Sequence, residues 1–420
     1  MDNKTSKLWL YAITVFLSSA LLLVLEVVAG RLIAPYVGVS LYTWTAVIGV
    51  ILAGLSLGNW WGGVWADRGA GETAAGVTLV LSGLACLAIP LLLTLIAPTI
   101  QTSQLSLLSS SLLLVLSLFF IPAMLLGIVT PILTTLALGL STRTGHIVGM
   151  MHALAAIGSI VGTFVTGYWL IQSFGSRAVV LTAAAILALL AVPLIRTKRT
   201  LIYPALALVA TLLSIVTGLR NGFLDPCQEE SQYFCIRVVE EPWDVPPGQL
   251  KSLVLDHLLH GSNHSTTPGL LAAPYVQLMD ELVLSQFTET DKLKFFYIGG
   301  GAYTLPRATL HLYPNATVTV AELDPAVTQI AEEQLFVDTD KMTIHHADAR
   351  MVLQREATQQ YDVIVADAFH DIAIPSHLVT QEMAELVLSR LTDNGIYTLN
   401  IVDAFPNAQL VKAMIKTLQT

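Results

Sequence analysis

Long uninterrupted apolar runs fill the first half of the chain, and past residue 220 they give way to short runs separated by charged segments. The long runs lie near 8–29, 44–65, 74–97, 106–127, 150–172, 178–195 and 201–219. Each is long enough to cross ~30 Å of hydrocarbon as a helix, so the pattern predicts a multi-pass membrane domain of about seven spans. Between the fourth and fifth, Pro131–Leu140 is too short to cross and is expected to be re-entrant or interfacial. The first run follows Lys4 and Lys7 with no small-residue cleavage site, which reads as an uncleaved span.

The later part has a different rhythm. Residues 221–290 begin as a linker rich in Pro, Glu and Gln, with Pro242, Pro246 and Pro247 as breakers. Tyr233–Val239 and Leu250–Leu255 alternate like paired strands, the stretch DHLLHGSNHSTTPG (256–269) reads as loop, and Pro274–Leu284 as a helix. From 291 to 420 apolar strands at 295–298, 317–321, 342–346, 361–366 and 395–402 alternate with helical segments at 325–336, 350–356, 375–391 and 408–418. That alternation predicts a parallel sheet of the Rossmann-like type. The expected domains are therefore 1–220 (membrane), 221–290 (linker and small β subdomain) and 291–420 (Rossmann-like).

Composition sharpens the division. The chain is 54% hydrophobic and 12% charged, with mean hydropathy +0.67, outside the range of ordinary soluble globules. Residues 1–220 carry ten Lys and Arg against four Asp and Glu, whereas residues 221–420 carry eleven against twenty-six. The acidic half argues against nucleic acid and suits a cationic ligand. Arg and Lys positions favour a cytoplasmic N-terminus, in a bacterial inner membrane, and seven spans then put the acidic half on the outer face. Cys227 and Cys235 are placed to form a disulfide there, yet nucleoside cofactors are scarce outside, so span count and chemistry point to opposite faces. Glu26 and His152 are costly in lipid and are expected to face the bundle interior as helix–helix hydrogen bonds. The glycines at 54, 58, 62 and 63, and at 158, 162 and 167, are expected to form close-packing faces.

Candidate chemistry gathers at the predicted strand ends. FFYIGGGAYTLPRATLHLYPNATVTVAELD (295–324) places Gly299, Gly300 and Gly301 after a strand, with Glu322 and Asp324 about twenty positions on. Glycines let a backbone approach a ligand closely, and a carboxylate at the second strand's tip accepts both ribose hydroxyls. Asp348 and Ala349, just past the third strand, suit an adenine, the carboxylate taking the amino group and the small residue admitting the ring. Asp367 ends the fourth strand, with Asp371 four residues on. That edge of an open sheet is where ligands bind, which makes Asp367 the leading catalytic candidate. His257, His260 and His264 lack a completing Cys or carboxylate beyond Asp256, and no metal is expected.

These motifs, YIGGGAYTLPRA, VAELD, HADAR and YDVIVADAF with IPSHLVTQEM, resemble the spermidine synthase (polyamine aminopropyltransferase) family. LEVVAGRLIAPYVG and GNWWGGVWADR resemble its membrane-fused version, and the latter also looks like a loop of major-facilitator transporters. The resemblance implies aminopropyl transfer from decarboxylated S-adenosylmethionine to an amine or polyamine, releasing methylthioadenosine. It implies that Gly299–Gly301 underlie the nucleoside, Glu322 takes the ribose, and Asp348 with Ala349 takes the adenine. Asp367 would hold and deprotonate the amine, Tyr275 would line its channel, and a family glutamine falls near His260 or Asn263. Three departures stand out: Ala302 replaces a loop Asp that repels the carboxylate of undecarboxylated S-adenosylmethionine, the second acid is shifted to Asp371, and the final hairpin of the fold is missing. Two other expectations stand beside this one: an enzyme acting on S-adenosylmethionine itself, by methyl transfer or lyase-type cleavage, and a non-catalytic transporter-like or sensor protein. A lipid bilayer and a homodimer complete the expected partners.

Overall fold

The computed structural model describes residues 3–419 apart from 104, 196–201, 222–224, 359, 370–373 and 404–405. Contacts divide the chain into two units, Met1–Pro226 and Cys227–Thr420.

The first unit is helical: α1 (Asn3–Val37), α2 (Leu41–Asp67), α3 (Glu72–Gln101), α4 (Leu107–Leu138), α5 (Thr144–Val165), α6 (Ile171–Phe174), α7 (Ser176–Ala191) and α8 (Ile202–Asn221). A π-turn, Thr166–Leu170, joins α5 to α6, so that 144–174 is one rod. Among the described residues six helices are long and apolar enough to cross a membrane. The seventh expected run is helical as α8 but is not one of those six. Pro131–Leu140 is not a separate segment: Pro131 sits inside α4, which continues to Leu138.

Small residues set how closely these helices approach. A Cβ on Gly58 of α2 would lie 2.0 Å from the Met124 carbonyl oxygen of α4, and one on Gly158 of α5 would lie 2.2 Å from the Phe16 oxygen of α1. Gly63 and Gly167 face open space and take no part in this packing. His152 is exposed, contrary to the expectation that it faces inward, because α5 buries its Gly158 and Gly162 edge and turns the histidine away. Glu26 is half-buried.

The second unit opens with an antiparallel sheet, β1 (Glu229–Glu230), β2 (Cys235–Glu241), β3 (Leu250–Leu255) and β4 (Leu258–His264), in that order. The histidine-rich stretch is thus largely a strand, not a loop. Its register, Leu250 opposite His264 and Leu255 opposite Leu258, leaves only Asp256 and His257 as the turn. Cys227 and Cys235 form a disulfide.

After α9 (Pro274–Leu284) come β5 (Lys294–Ile298), α10 (Thr304–Leu312), β6 (Thr317–Ala321), α11 (Pro325–Gln334), β7 (Thr343–His345) and α12 (Ala349–Arg355). Then follow β8 (Tyr361–Ala366), α13 (Gln381–Arg390), β9 (Leu391–Leu399) and α14 (Gln409–Leu418). The strands form one parallel sheet in the order β7-β6-β5-β8-β9. Its core explains the uninterrupted apolar strands. In β5, Phe295 and Tyr297 pack on one face and Phe296 and Ile298 on the other, all nearly solvent-free. A strand covered on both faces has no polar side to alternate. The order reverses at β5, between β6 and β8, which is the switch point where such sheets open a crevice at their carboxyl edge.

Candidate active site

The turn after β5 is built from backbone that only glycine adopts comfortably. Gly299 and Gly301 have φ of +93° and +51°, and a Cβ on Gly299 would sit 2.7 Å from the Asp367 carbonyl oxygen. Tyr303, also left-handed at φ +56°, closes the turn with its N–H on the Gly300 carbonyl (2.8 Å). Its ring is fully buried beside Thr328 of α11, whose hydroxyl it meets at 2.6 Å. The loop is thereby pinned before any ligand enters.

Glu322, just past β6, answers this loop directly. Gly300 N–H donates to its Oε2 (2.8 Å) and Asp324 N–H to its Oε1 (2.9 Å). Burial pushes its carboxyl above the usual carboxylate range, against the opposing pull of those amide donors. Asp324, expected at the ligand, is instead a structural cap. It lies 2% exposed, accepts from Ala326 N–H at the start of α11 (3.0 Å) and from the Ser231 hydroxyl, and lines neither cavity described below. Pro325 at the first helical position fits that role.

Asp367 follows β8. Both of its oxygens are engaged, Oδ2 by the Tyr275 hydroxyl of α9 (3.0 Å) and Oδ1 by the Asn400 amide just past β9 (2.9 Å). Burial raises its pKa, while these two donors pull it back down. Tyr275 is in turn pushed up, by burial and then by the neighbouring Asp367 charge. Asn400 was not among the expected site residues. Asp371 lies outside the described residues.

Two cavities meet at this edge. The larger, about 570 Å³, is bounded by Tyr275, Val276, Leu305, Asp367, Asn400 and Asp403, among others. The smaller, about 110 Å³, is bounded by Glu322, Leu323, Asp348, Ala349 and His377, among others. Gly299, Gly301, His260, Asp367 and Phe369 belong to both walls. Four carboxylates, Glu322, Asp348, Asp367 and Asp403, face these spaces, and among the described lining residues there is no Lys or Arg. A cationic ligand is the natural occupant.

His260 and Asn263 differ in position. His260 lies on both walls, whereas Asn263 is 1% exposed and donates to the Ala302 carbonyl (2.7 Å) and the Leu335 carbonyl (3.0 Å) behind the loop. Ala302 is itself buried and lines neither cavity. His257 and His264 do not join His260 around a common point: His264 points back to the Pro246 carbonyl (3.1 Å).

No family model matches the chain. Over 110 residues, 26% of this chain and 37% of the relative, it is 34% identical to the polyamine aminopropyltransferase of Vibrio vulnificus (strain CMCP6). Over 141 residues, 33% of this chain and 49% of the relative, it is 29% identical to the malonyl-(acyl-carrier protein) O-methyltransferase of Halalkalibacterium halodurans. The chain thus spans less than two thirds of either curated relative. Among solved structures, the probable spermidine synthase from Corynebacterium glutamicum ATCC 13032 aligns with TM-score 0.39 and 22% identity, covering 44% of this chain and 67% of that one.

Proposed function

We propose that this spermidine synthase-like chain is an integral membrane aminopropyltransferase, taking a decarboxylated S-adenosylmethionine-type donor and an amine or polyamine acceptor. The observation that carries the reading is Asp367, a half-buried carboxylate on the wall common to both cavities and steadied by Tyr275 and Asn400. In this reading the adenosyl group occupies the smaller cavity, with Glu322 on the ribose hydroxyls and Asp348 beside Ala349 on the adenine. The sulfonium arm crosses Gly299 and Gly301 into the larger cavity, where the amine enters.

The chemistry is an in-line displacement. The amine lone pair forms a bond to the carbon beside the sulfonium, that carbon–sulfur bond breaks, and its electron pair neutralises the sulfur, leaving methylthioadenosine. For that lone pair to be free, the incoming ammonium first gives a proton to Asp367, which must be ionised to take it, and the product leaves as a secondary ammonium. Holding both reactants against one wall supplies the orientation. The carboxylate-rich, Lys- and Arg-free lining suits a cationic donor and a cationic acceptor at once.

A second reading, catalysis on S-adenosylmethionine itself, is favoured by the methyltransferase relative. One assay separates the two. Full-length protein in detergent, given the decarboxylated donor, is expected to release methylthioadenosine only when a diamine is present, and Asp367→Asn to lower that rate by roughly 10²–10⁴-fold. Release from S-adenosylmethionine without any amine would instead support the second reading.

A further inference from the structure

His377 was outside the candidate set, yet it touches the one carboxylate assigned to the purine. Asp348 caps α12, its Oδ1 accepting from Met351 N–H at 3.1 Å. Its Oδ2 lies 2.6 Å from Nε2 of His377, which sits in the 3₁₀ turn Ser376–Leu378, and both side chains line the smaller cavity. The turn is itself fastened to α12. Arg350 Nη1 donates to the His377 carbonyl (3.0 Å) and to the Thr380 hydroxyl (3.4 Å), and that hydroxyl caps α13 through Met383 N–H (3.2 Å). The imidazole is therefore held at the rim by its own backbone as well as by Asp348.

Resting on the nucleoside reading above, we propose that His377 is a positioning residue that makes the smaller cavity selective for 6-amino over 6-oxo purines. With Nε2–H as donor, His377 fixes the Asp348 carboxylate in one orientation, with its remaining lone pairs turned to the cavity. A 6-amino group donates into such an acceptor. A 6-oxo group presents lone pairs against it, and an ionised carboxylate has no proton to donate in return. Discrimination between two ligands is a difference of affinities, and a fixed acceptor weakens the wrong partner as well as strengthening the right one. Without the histidine, Asp348 keeps only its helix-cap bond, and its free oxygen can turn away from the base.

The test is a pair of calorimetric titrations, methylthioadenosine and methylthioinosine, on the full chain and on three variants. The parent is expected to favour the amino compound. His377→Ala, and His377→Phe which keeps the ring volume without the donor, are expected to shrink that preference by roughly tenfold, the scale of one charge-assisted hydrogen bond. His377→Gln, which restores a side-chain N–H, is expected to recover most of it. An unchanged ratio in both the Ala and Phe variants, even with both affinities lowered, overturns the inference and leaves His377 as a structural strut. A parent that binds neither compound overturns the nucleoside reading itself.

Discussion

Asp367 shows how a single carboxylate is tuned by three influences. Burial raises its pKa, and the Asn400 and Tyr275 donors stabilise the ionised form and bring it part of the way back. The sign follows directly. A base that works ionised gives a rate rising with pH through its pKa, so removing a donor moves the acidic limb of kcat/KM to higher pH. Asn400→Ala is expected to show that displacement, with less change in rate well above the limb; an unmoved limb would show that another group sets it. Asn400 was missed in the sequence because the apolar pair Ile401 and Val402 extends the predicted strand past it, hiding that β9 ends at Leu399. Asp324 was misread for the opposite reason. An acid after a strand suits a ribose or a helix cap equally, and only the Pro325 that follows it pointed to the cap.

At the scale of elements, the parallel strands were legible because burial on both faces writes an uninterrupted apolar run, and Thr317–Ala321 and Tyr361–Ala366 fall where the pattern put them. β4 was not legible. Its residues His260, Gly261 and Ser262 line the larger cavity instead of packing in the core, so they carry no strand-like alternation. The helices of the first unit were legible as apolar runs, but their contacts were only half so, since glycine spacing alone does not separate Gly58 from Gly63. Gly58→Ala tests the distinction. Alanine favours a helix interior by ~1 kcal/mol over glycine, but a Cβ 2.0 Å from the Met124 carbonyl must push α2 and α4 apart. Overpacking of this kind costs about 1–3 kcal/mol. Thermal unfolding in detergent is expected to fall for Gly58→Ala and to hold or rise for Gly63→Ala, where a Cβ meets nothing within 4 Å.

Across the whole chain, the two units differ in what they leave exposed. The first unit buries an apolar core and also exposes large apolar side chains such as Leu41, Leu95 and Tyr168, and among its described residues six helices are long and apolar enough to cross a membrane. Cys227 and Cys235 open the second unit as a disulfide, a linkage kept in oxidising compartments. Alkylation in intact cells followed by peptide mapping without reductant is expected to recover the two cysteines as one linked peptide. Two separately alkylated peptides would assign this segment to a reducing compartment.

The partition between the two cavities is also a statement about kinetics. Asp367 and the glycine turn belong to both chambers, so on the proposed reading the acceptor amine can reach the donor carbon directly across one wall. Direct transfer of that kind, if the proposed function holds, needs donor and acceptor aboard together, so double-reciprocal plots at several fixed acceptor concentrations are expected to converge. A parallel family of lines would instead demand a covalent relay, with Asp367 or His260 on the shared wall as its carrier.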